Sequence, residues 1–584
     1  MEHIEYHVHT ELSLLDSCTN YKLYIDEAVS RKMKAIGFSE HGNIHNWIDK
    51  KQYCDKKGIK YLHGCEVYLT EKLLPKERDN YHTVLIARNF QGVLELNKLI
   101  SKSTDENHFY YKPRISFDEF LNISDNIIST SACLASPLSR LSEDNTYYNK
   151  LVNKYTFLEI QPHIHESQLK YNLKLIELSK KFNKSLIVGT DTHALNKYKS
   201  ECRSILQKAK RIQYTDEDKF DLTFKTTDRI IELFEQQGLN KNIYIKALEN
   251  TNNLYNMIED FTLDKSLKYP NIYKDINKTF KNIIQKKYIE KVNNNIINDN
   301  KIYKQKINEE YKVFKKLGMF SFMLFMSELI TWCHENDIPT GFCRGSVGGS
   351  VIAYILDIID LNPIQWNTVF SRFANEDRVS LGDIDIDFSP SDRVKVYNYI
   401  IERFGQYGDF TTCYILTTHT ISDKGTIDEI GRALNFISNG EKYDLRLVEK
   451  IKKEYDEDPE TTKEKYQELF YYFDGLKGTV VSQGYHPAGI VASTESLNDH
   501  IGLFKYDDKW ISQINMDEIH DLNYVKYDIL GLKNIGIIKD TYKLLNSHYL
   551  KSNEINWNDK NVWNDIIKSP VGIFQFEGRQ ICSR

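Results

Sequence analysis

From Asp383 to Asp387 the chain alternates aspartate and isoleucine, and Phe388 follows. A period of two is that of a β-strand, so the stretch predicts a strand with isoleucines on one face and carboxylates on the other. Aspartate is disfavoured in strands, and three neighbouring carboxylates repel each other unless something positive holds them. Oxygen ligands in such an array suit Mg²⁺, which is bound by one or two carboxylates together with substrate phosphates. Two readings follow: a metal platform for phosphoryl chemistry, or a solvated acidic edge strand.

A chain of 584 residues exceeds a single core and divides into roughly three or four domains. Its 41% hydrophobic and 27% charged residues are ordinary for a soluble globular protein. No uninterrupted apolar run approaches the ~18 residues that span a bilayer. Met1-Glu2-His3-Ile4-Glu5 has neither the basic nor the apolar region of a secretory signal. The nine cysteines are odd in number and lack paired spacing, which predicts a reduced, cytoplasmic chain. A formal charge of -5 gives no global nucleic-acid signature, yet a local basic groove binds phosphate on an acidic protein.

Over about the first 200 residues, short apolar runs end in ligand-type residues and helical stretches follow. Ala35–Phe38 leads to Glu40 and His41, Tyr61-Leu62 to Glu66, Ile127–Thr130 to Cys133, and Leu186–Gly189 to Asp191 and His193. Alternating strands and helices predict an α/β barrel with functional residues at strand ends. Residues from about 200 to 320 are helical and lysine-rich, with a loop at 292–300. The acidic run 454–460 is a solvated face or loop.

His7-Val8-His9 puts two imidazoles on one strand face, and Asp191-Thr192-His193 repeats that spacing. With Asp16, His41, Glu66, His82 and Cys133 they form a mixed nitrogen, oxygen and sulfur set. That set suits Zn²⁺, Mn²⁺ or Fe²⁺ better than Mg²⁺ and is large enough for two or three ions. His7-Val8-His9…Asp16, Ser39–Asn43, Gly64–Tyr68, His82 and Gly189–His193 resemble the polymerase and histidinol phosphatase (PHP) domain. The resemblance implies a (βα)₇-like barrel with metal ligands at His7, His9, Asp16, His41, Glu66, His82, Cys133, Asp191 and His193. It implies Zn²⁺ or Mn²⁺ there, and phosphoesterase or 3′–5′ exonuclease chemistry. A second pair, His163 and His165, matches no metal position.

Gly341–Ser350 is rich in glycine and serine and precedes an apolar helical stretch from Val351 to Leu356. Glycines and serines at a helix start expose N–H groups that cradle phosphate, and Arg344 adds a bidentate donor. No Gly-Lys-Ser/Thr follows, so this is not a Walker loop. The loop, then Arg372–Ser380, the aspartate strand, and much later Lys526-Tyr527-Asp528 resemble the bacterial C-family DNA polymerases. The resemblance implies catalytic carboxylates at Asp385, Asp387 and Asp528 holding two Mg²⁺ ions. It gives nucleotide contacts to Arg344, Gly345, Ser346, Arg378 and Lys526, and accessory roles to Asp383, Lys424 and Arg432. Gly484–Val491 is similar to the family's His-Ala-Ala-Gly-Val strand entry, with Pro487 as a departure. Val571–Gly578 is similar to the start of the fingers.

The expected architecture is a multidomain α/β chain. Residues 1–265 form the PHP domain, 266–415 and 483–545 a nucleotidyltransferase-type palm, 416–482 an inserted helical thumb, and 546–584 the start of the fingers. The implied function is DNA-directed DNA polymerase acting on primer-template DNA and dNTPs in the cytoplasm, with no membrane partner. The rest of the fingers and any sliding-clamp contact would come from a missing C-terminal portion. Two alternatives stand: a PHP phosphoesterase or exonuclease, and an inactive piece that needs a separate fingers polypeptide.

Overall fold

The computed structural model describes residues 2–212, 219–375 and 384–575. By compactness the chain forms two units. One comprises Met1–Leu263, Leu416–Tyr485 and Asn498–Glu518; the other comprises Asp264–Ile415, His486–Leu497 and Ile519–Arg584.

The first unit is built on β1 (Ala35–Phe38), β2 (Lys60–Thr70), β3 (Tyr81–Ala87), β4 (Arg114–Ser116), β5 (Ile127–Thr130), β6 (Phe157–Ile160) and β7 (Ser185–Val188). Their order is β1-β2-β3-β5-β6-β7, with β4 on β2. β3 runs antiparallel to both β2 and β5. The remaining pairs are parallel. Glu5 bridges Ile36 of β1, and Val8 bridges Thr192 just beyond β7. The N-terminal segment thereby links both ends of the sheet and closes it into a barrel. His7 and His9 were expected on a strand. They lie instead on this singly bridged segment, which turns away where Ser13 N donates to Thr10 O.

The barrel core gathers Ile4, Tyr6, Ala35, Leu62, Val84, Ile86 and Ile187, each at most 1% exposed. A second core joins Cys202, Ile205 and Leu206 to Ile427, Ile430, Leu469 and Phe473. It packs the helices of 416–485 onto the helix Lys197–Lys210 within the same unit.

In the second unit β8 spans Asp385–Phe388. β9 (Thr412–Thr420) and β10 (Val480–Ala492) have residues in both units. β11 (Leu503–Tyr506) and β12 (Lys509–Asn515) form an antiparallel hairpin in the first unit. β13 (Lys526–Gly531) pairs antiparallel with β10 and parallel with β8. The apolar helix Phe320–Glu335 and the helix Arg393–Gly405 cover this sheet in one core with Ile386, Phe388, Ile490, Tyr527 and Ile529.

Candidate metal centre and carboxylate site

All nine residues expected as ligands in the first unit meet in one cluster, in which His41, His82 and Cys133 are half-buried and the other six are buried. Nε2 of His7 and Nε2 of His9 each lie 3.3 Å from Asp191 Oδ1. They lie 3.6 and 3.5 Å from the two oxygens of Glu66. His41 reaches Glu66 through Nδ1 and Asp16 through Nε2, both at 2.9 Å. His193 Nε2 is 3.3 Å from Asp16. His82 Nδ1 is 2.9 Å from Glu66, and Cys133 Sγ is 3.7 Å from that nitrogen. Glu66 lies within β2, which runs four residues beyond it to Thr70, rather than at a strand end.

The donor set fits divalent cations. Three triads, His9-His41-His193, His7-His9-Glu66 and His41-Glu66-His82, have ligand atoms within 4.8 Å of one another. Nε2 of His7, Nε2 of His9 and Oδ1 of Asp191 are buried without a hydrogen bond. Buried lone pairs left unmatched are costly, and a cation is the species that satisfies several at once. Burial together with the His41 and His193 rings pushes His9 down to about 3. At His41 burial acts in the same direction, but Asp16 and Glu66 outweigh it and raise the imidazole to about 10.

Residues that orient the ligands are not evident from the sequence. Glu159, fully buried in β6, sits 2.7 Å from His7 Nδ1 and also accepts from Tyr6 and Thr130. Holding the proton on Nδ1 leaves the Nε2 lone pair facing the cluster. Ser13 Oγ lies 3.1 Å from His9 Nδ1 and donates to Glu40, which also takes Lys50 at 2.7 Å. Arg203 holds Asp16 at 2.5 Å. The one signal available was an acid inside an apolar strand, Phe157-Leu158-Glu159-Ile160. His163 stacks on Phe220 and His165 caps the helix Glu166–Phe182. Neither joins the cluster.

In the second unit β13 meets β8 in the register Asp528↔Asp385 and Leu530↔Asp387. Registered neighbours and residues two apart share a face, so Asp385, Asp387 and Asp528 line one patch. Asp387 and Asp528 are each 8% exposed. Arg344 Nη1 is 2.9 Å from Asp387, and Lys526 Nζ is 2.7 Å from Asp528. Burial pushes the Asp387 carboxyl up, against the pull of Arg344. Asp528 Oδ1 is buried without a hydrogen bond. This all-oxygen set suits a hard cation of the Mg²⁺ type.

Gly345 has φ 71° and ψ -155°, and a Cβ there would lie 3.3 Å from Asp385 Oδ2. The glycine backbone thus runs directly against the carboxylates. Gly345 and Ser346 line a cleft of about 150 Å³. The expected phosphate cradle at the following helix is not available. That helix, Val351–Ile355, is short, and Glu310 already accepts from Val351 N, Ile352 N and Ser350 Oγ at 2.8, 2.9 and 2.7 Å. Arg378 and Asp383 lie outside the described residues. Lys424 and Arg432 sit on the first unit's helix Asp423–Ile437, paired with Asp456 at 2.6 Å and Glu429 at 3.6 Å.

Two family models match: the PHP domain over residues 5–177 and the bacterial DNA polymerase III alpha NTPase domain over residues 274–531. DNA polymerase III subunit alpha of Borreliella burgdorferi is 30% identical over 631 residues, covering 98% of this chain and 52% of that protein. The same subunit of Aquifex aeolicus is 26% identical, covering 99% of this chain and 55% of its own length. That of Campylobacter jejuni is 27% identical, covering 98% and 52%. The chain spans about half the length of the curated relatives it matches. Among solved structures, a putative metal-dependent phosphoesterase from Bifidobacterium adolescentis covers 41% of this chain at 11% identity, with a TM-score of 0.25, a likeness too slight to carry an argument. Among the described residues no helix is long and apolar enough to cross a membrane. With both family models matched in order and relatives aligned along nearly its whole length, the chain carries a PHP domain followed by a bacterial DNA polymerase III alpha NTPase domain and is similar to the N-terminal half of the bacterial DNA polymerase III alpha subunits.

Proposed function

We propose that the second unit performs template-directed nucleotidyl transfer, joining a dNTP to a primer 3′-hydroxyl on DNA. The observation that carries this reading is the register of β8 and β13, which groups Asp385, Asp387 and Asp528 beside Arg344 and Lys526. Those three carboxylates would hold two Mg²⁺ ions, whose chemistry is to lower the pKa of the primer hydroxyl and to neutralise the leaving pyrophosphate. Arg344, Gly345, Ser346 and Arg378 would meet the triphosphate, and Lys526 would balance Asp528 until substrate arrives. Asp383, Lys424 and Arg432 would act as accessory groups. In this reading residues 1–265 are the PHP domain, 266–415 and 483–545 the palm, 416–482 the thumb and 546–584 the start of the fingers. The remaining contacts to DNA, and any sliding-clamp contact, would come from a portion equivalent to the other half of the relatives. The setting would be the cytoplasm.

A second reading is favoured by the orphaned buried lone pairs of the first unit. With Zn²⁺ or Mn²⁺ bound, the PHP cluster would hydrolyse phosphodiesters, including a primer 3′ end. Primer extension and 3′ trimming test both readings on the same chain. Extension should survive His9→Ala and vanish in Asp385→Asn and Asp528→Asn, and trimming should show the opposite pattern. Extension that persists in Asp528→Asn would sink the first reading. Trimming that persists in His9→Ala would sink the second.

A further inference from the structure

A cleft of about 600 Å³ in the first unit is lined by Asp16 and His41 of the metal cluster. Phe109, Tyr111 and Tyr506 line it too, and they are 51%, 69% and 50% exposed. Three large rings left in water around one cleft mark a binding surface rather than scattered surface apolarity.

Tight turns present two of these rings. Tyr111 has φ 60°, uncommon for a bulky residue, between the bridged neighbours Tyr110 and Lys112. An observed backbone outlier on an exposed aromatic points to a use for that side chain. Tyr506 ends β11, where Asp507 and Asp508 at φ 51° and 56° form a two-residue hairpin turn before Lys509. The Tyr111 loop is also seated close to the ligands: Pro113 packs on Gly42, next to His41, so tightly that a Cβ at Gly42 would meet its ring at 2.5 Å.

Charge narrows the ligand. Lys112 Nζ lies 3.4 Å from the hydroxyl of Tyr68, whose ring stacks on His41 at a centroid distance of 6.1 Å. One ammonium therefore stands a single ring away from a metal ligand, suited to one phosphate. The rest of the rim is acidic, and Lys505 is paired with Glu106 at 3.2 Å. A rim of this kind gives little grip on a phosphate backbone. Its aromatic faces suit unpaired bases, which stack without regard to sequence.

We infer that Phe109, Tyr111 and Tyr506 form a stacking platform for the unpaired terminal bases of a nucleic-acid strand whose end enters the metal cleft. The inference rests on the hydrolytic reading of the first unit and names the form of substrate that site takes. A duplex end offers only the outer face of its terminal pair, too little for three rings, so the platform favours frayed or single-stranded ends. Binding through rings rather than phosphates also gives a shallow dependence on salt, about one counterion's worth.

The test uses the full chain and an oligodeoxythymidylate carrying 5-iododeoxyuridine at its 3′ end, photo-cross-linked and mapped by mass spectrometry. Cross-links at Phe109, Tyr111 or Tyr506, absent when the same end is blunt duplex, are the expected result. Cross-links confined to other residues, or none at saturating strand, overturn the platform. The triple variant Phe109→Ala, Tyr111→Ala and Tyr506→Ala, checked for an unchanged melting temperature, should lose these cross-links. The single variant Tyr111→Ala should weaken single-strand binding by roughly five-fold or more. Hydrolysis of bis(p-nitrophenyl) phosphate by the wild-type chain with Mn²⁺ reports separately on the hydrolytic reading. Its absence would remove that reading, while the mapped position of the strand end would still decide for or against the platform.

Discussion

Replacing Glu310 by glutamine should change how the second unit's stability varies with pH. Glu310 is 1% exposed and accepts three hydrogen bonds from Ser350, Val351 and Ile352. Burial outweighs those donors and raises its carboxyl from 4.5 to about 7. A carboxyl with a raised folded pKa binds its proton more tightly folded than unfolded. Its contribution to stability is therefore full below pH ~4.5 and is lost as pH climbs through about 7. At ~1.4 kcal/mol per pKa unit, that rise corresponds to about 3 kcal/mol. Glutamine does not titrate, and other groups cancel in the difference between the two proteins. The wild-type advantage over Glu310→Gln should thus shrink by about 3 kcal/mol between pH 4.5 and pH 8. Urea unfolding read by tryptophan fluorescence measures it, since Trp332, Trp366, Trp557 and Trp563 all belong to this unit. A difference that stays level across that range would refute the reasoning.

Glu159→Gln should weaken metal binding in the first unit by roughly 10- to 100-fold, because His7 loses the carboxylate that fixes its tautomer. Chelator competition with metal readout checks this, and unchanged affinity would mean that the tautomer is set elsewhere. A methyl at Gly189 would collide with the Glu159 carboxylate, so Gly189→Ala should lower metal content and melting temperature together. Gly345→Ala places a Cβ at φ 71°, ψ -155°, a region nearly reserved for glycine, and should cost ~1–3 kcal/mol of stability. Thermal melting reads that cost, and a loss of dNTP affinity should accompany it because the new methyl faces Asp385.

Local patterns carried much of the fold. Ala35–Phe38 and Ile127–Thr130 are strands from end to end, as their apolar and β-branched runs predicted. The paired His-x-His and Asp-x-His spacings single out residues that the barrel does bring together. What stayed hidden depends on distant partners. β2 extends from Lys60 to Thr70 and is buried along nearly all its length, so no alternation announced its true span. Glu159 is a lone acid with no period to betray it, and only the closed sheet brings it under His7. Glu310 lies some forty residues before the amides it caps, so the glycine-rich loop read as an open phosphate cradle although one carboxylate already fills its helix end. The grouping of 416–485 and 498–518 with the first unit involves a buried cluster that holds both Ile205 and Ile430, which no local pattern records.

The two carboxylate clusters manage their charge by different means, and the difference bears on when each binds metal. In the second unit Arg344 occupies Asp387 and Lys526 occupies Asp528. A cation entering there must compete with an internal guanidinium and an internal ammonium. A triphosphate would draw those side chains off, because phosphate oxygens accept the same charge-assisted hydrogen bonds. Metal and nucleotide are therefore expected to help each other in, and that help is reciprocal by linkage. In the first unit the contacts to Glu66 come from His7, His9, His41 and His82. Imidazoles give up a proton to become ligands and need not be displaced. Metal in the first unit should accordingly bind without substrate and more tightly at higher pH, whereas the Asp385–Asp387–Asp528 patch should fill its metal positions chiefly when a triphosphate arrives.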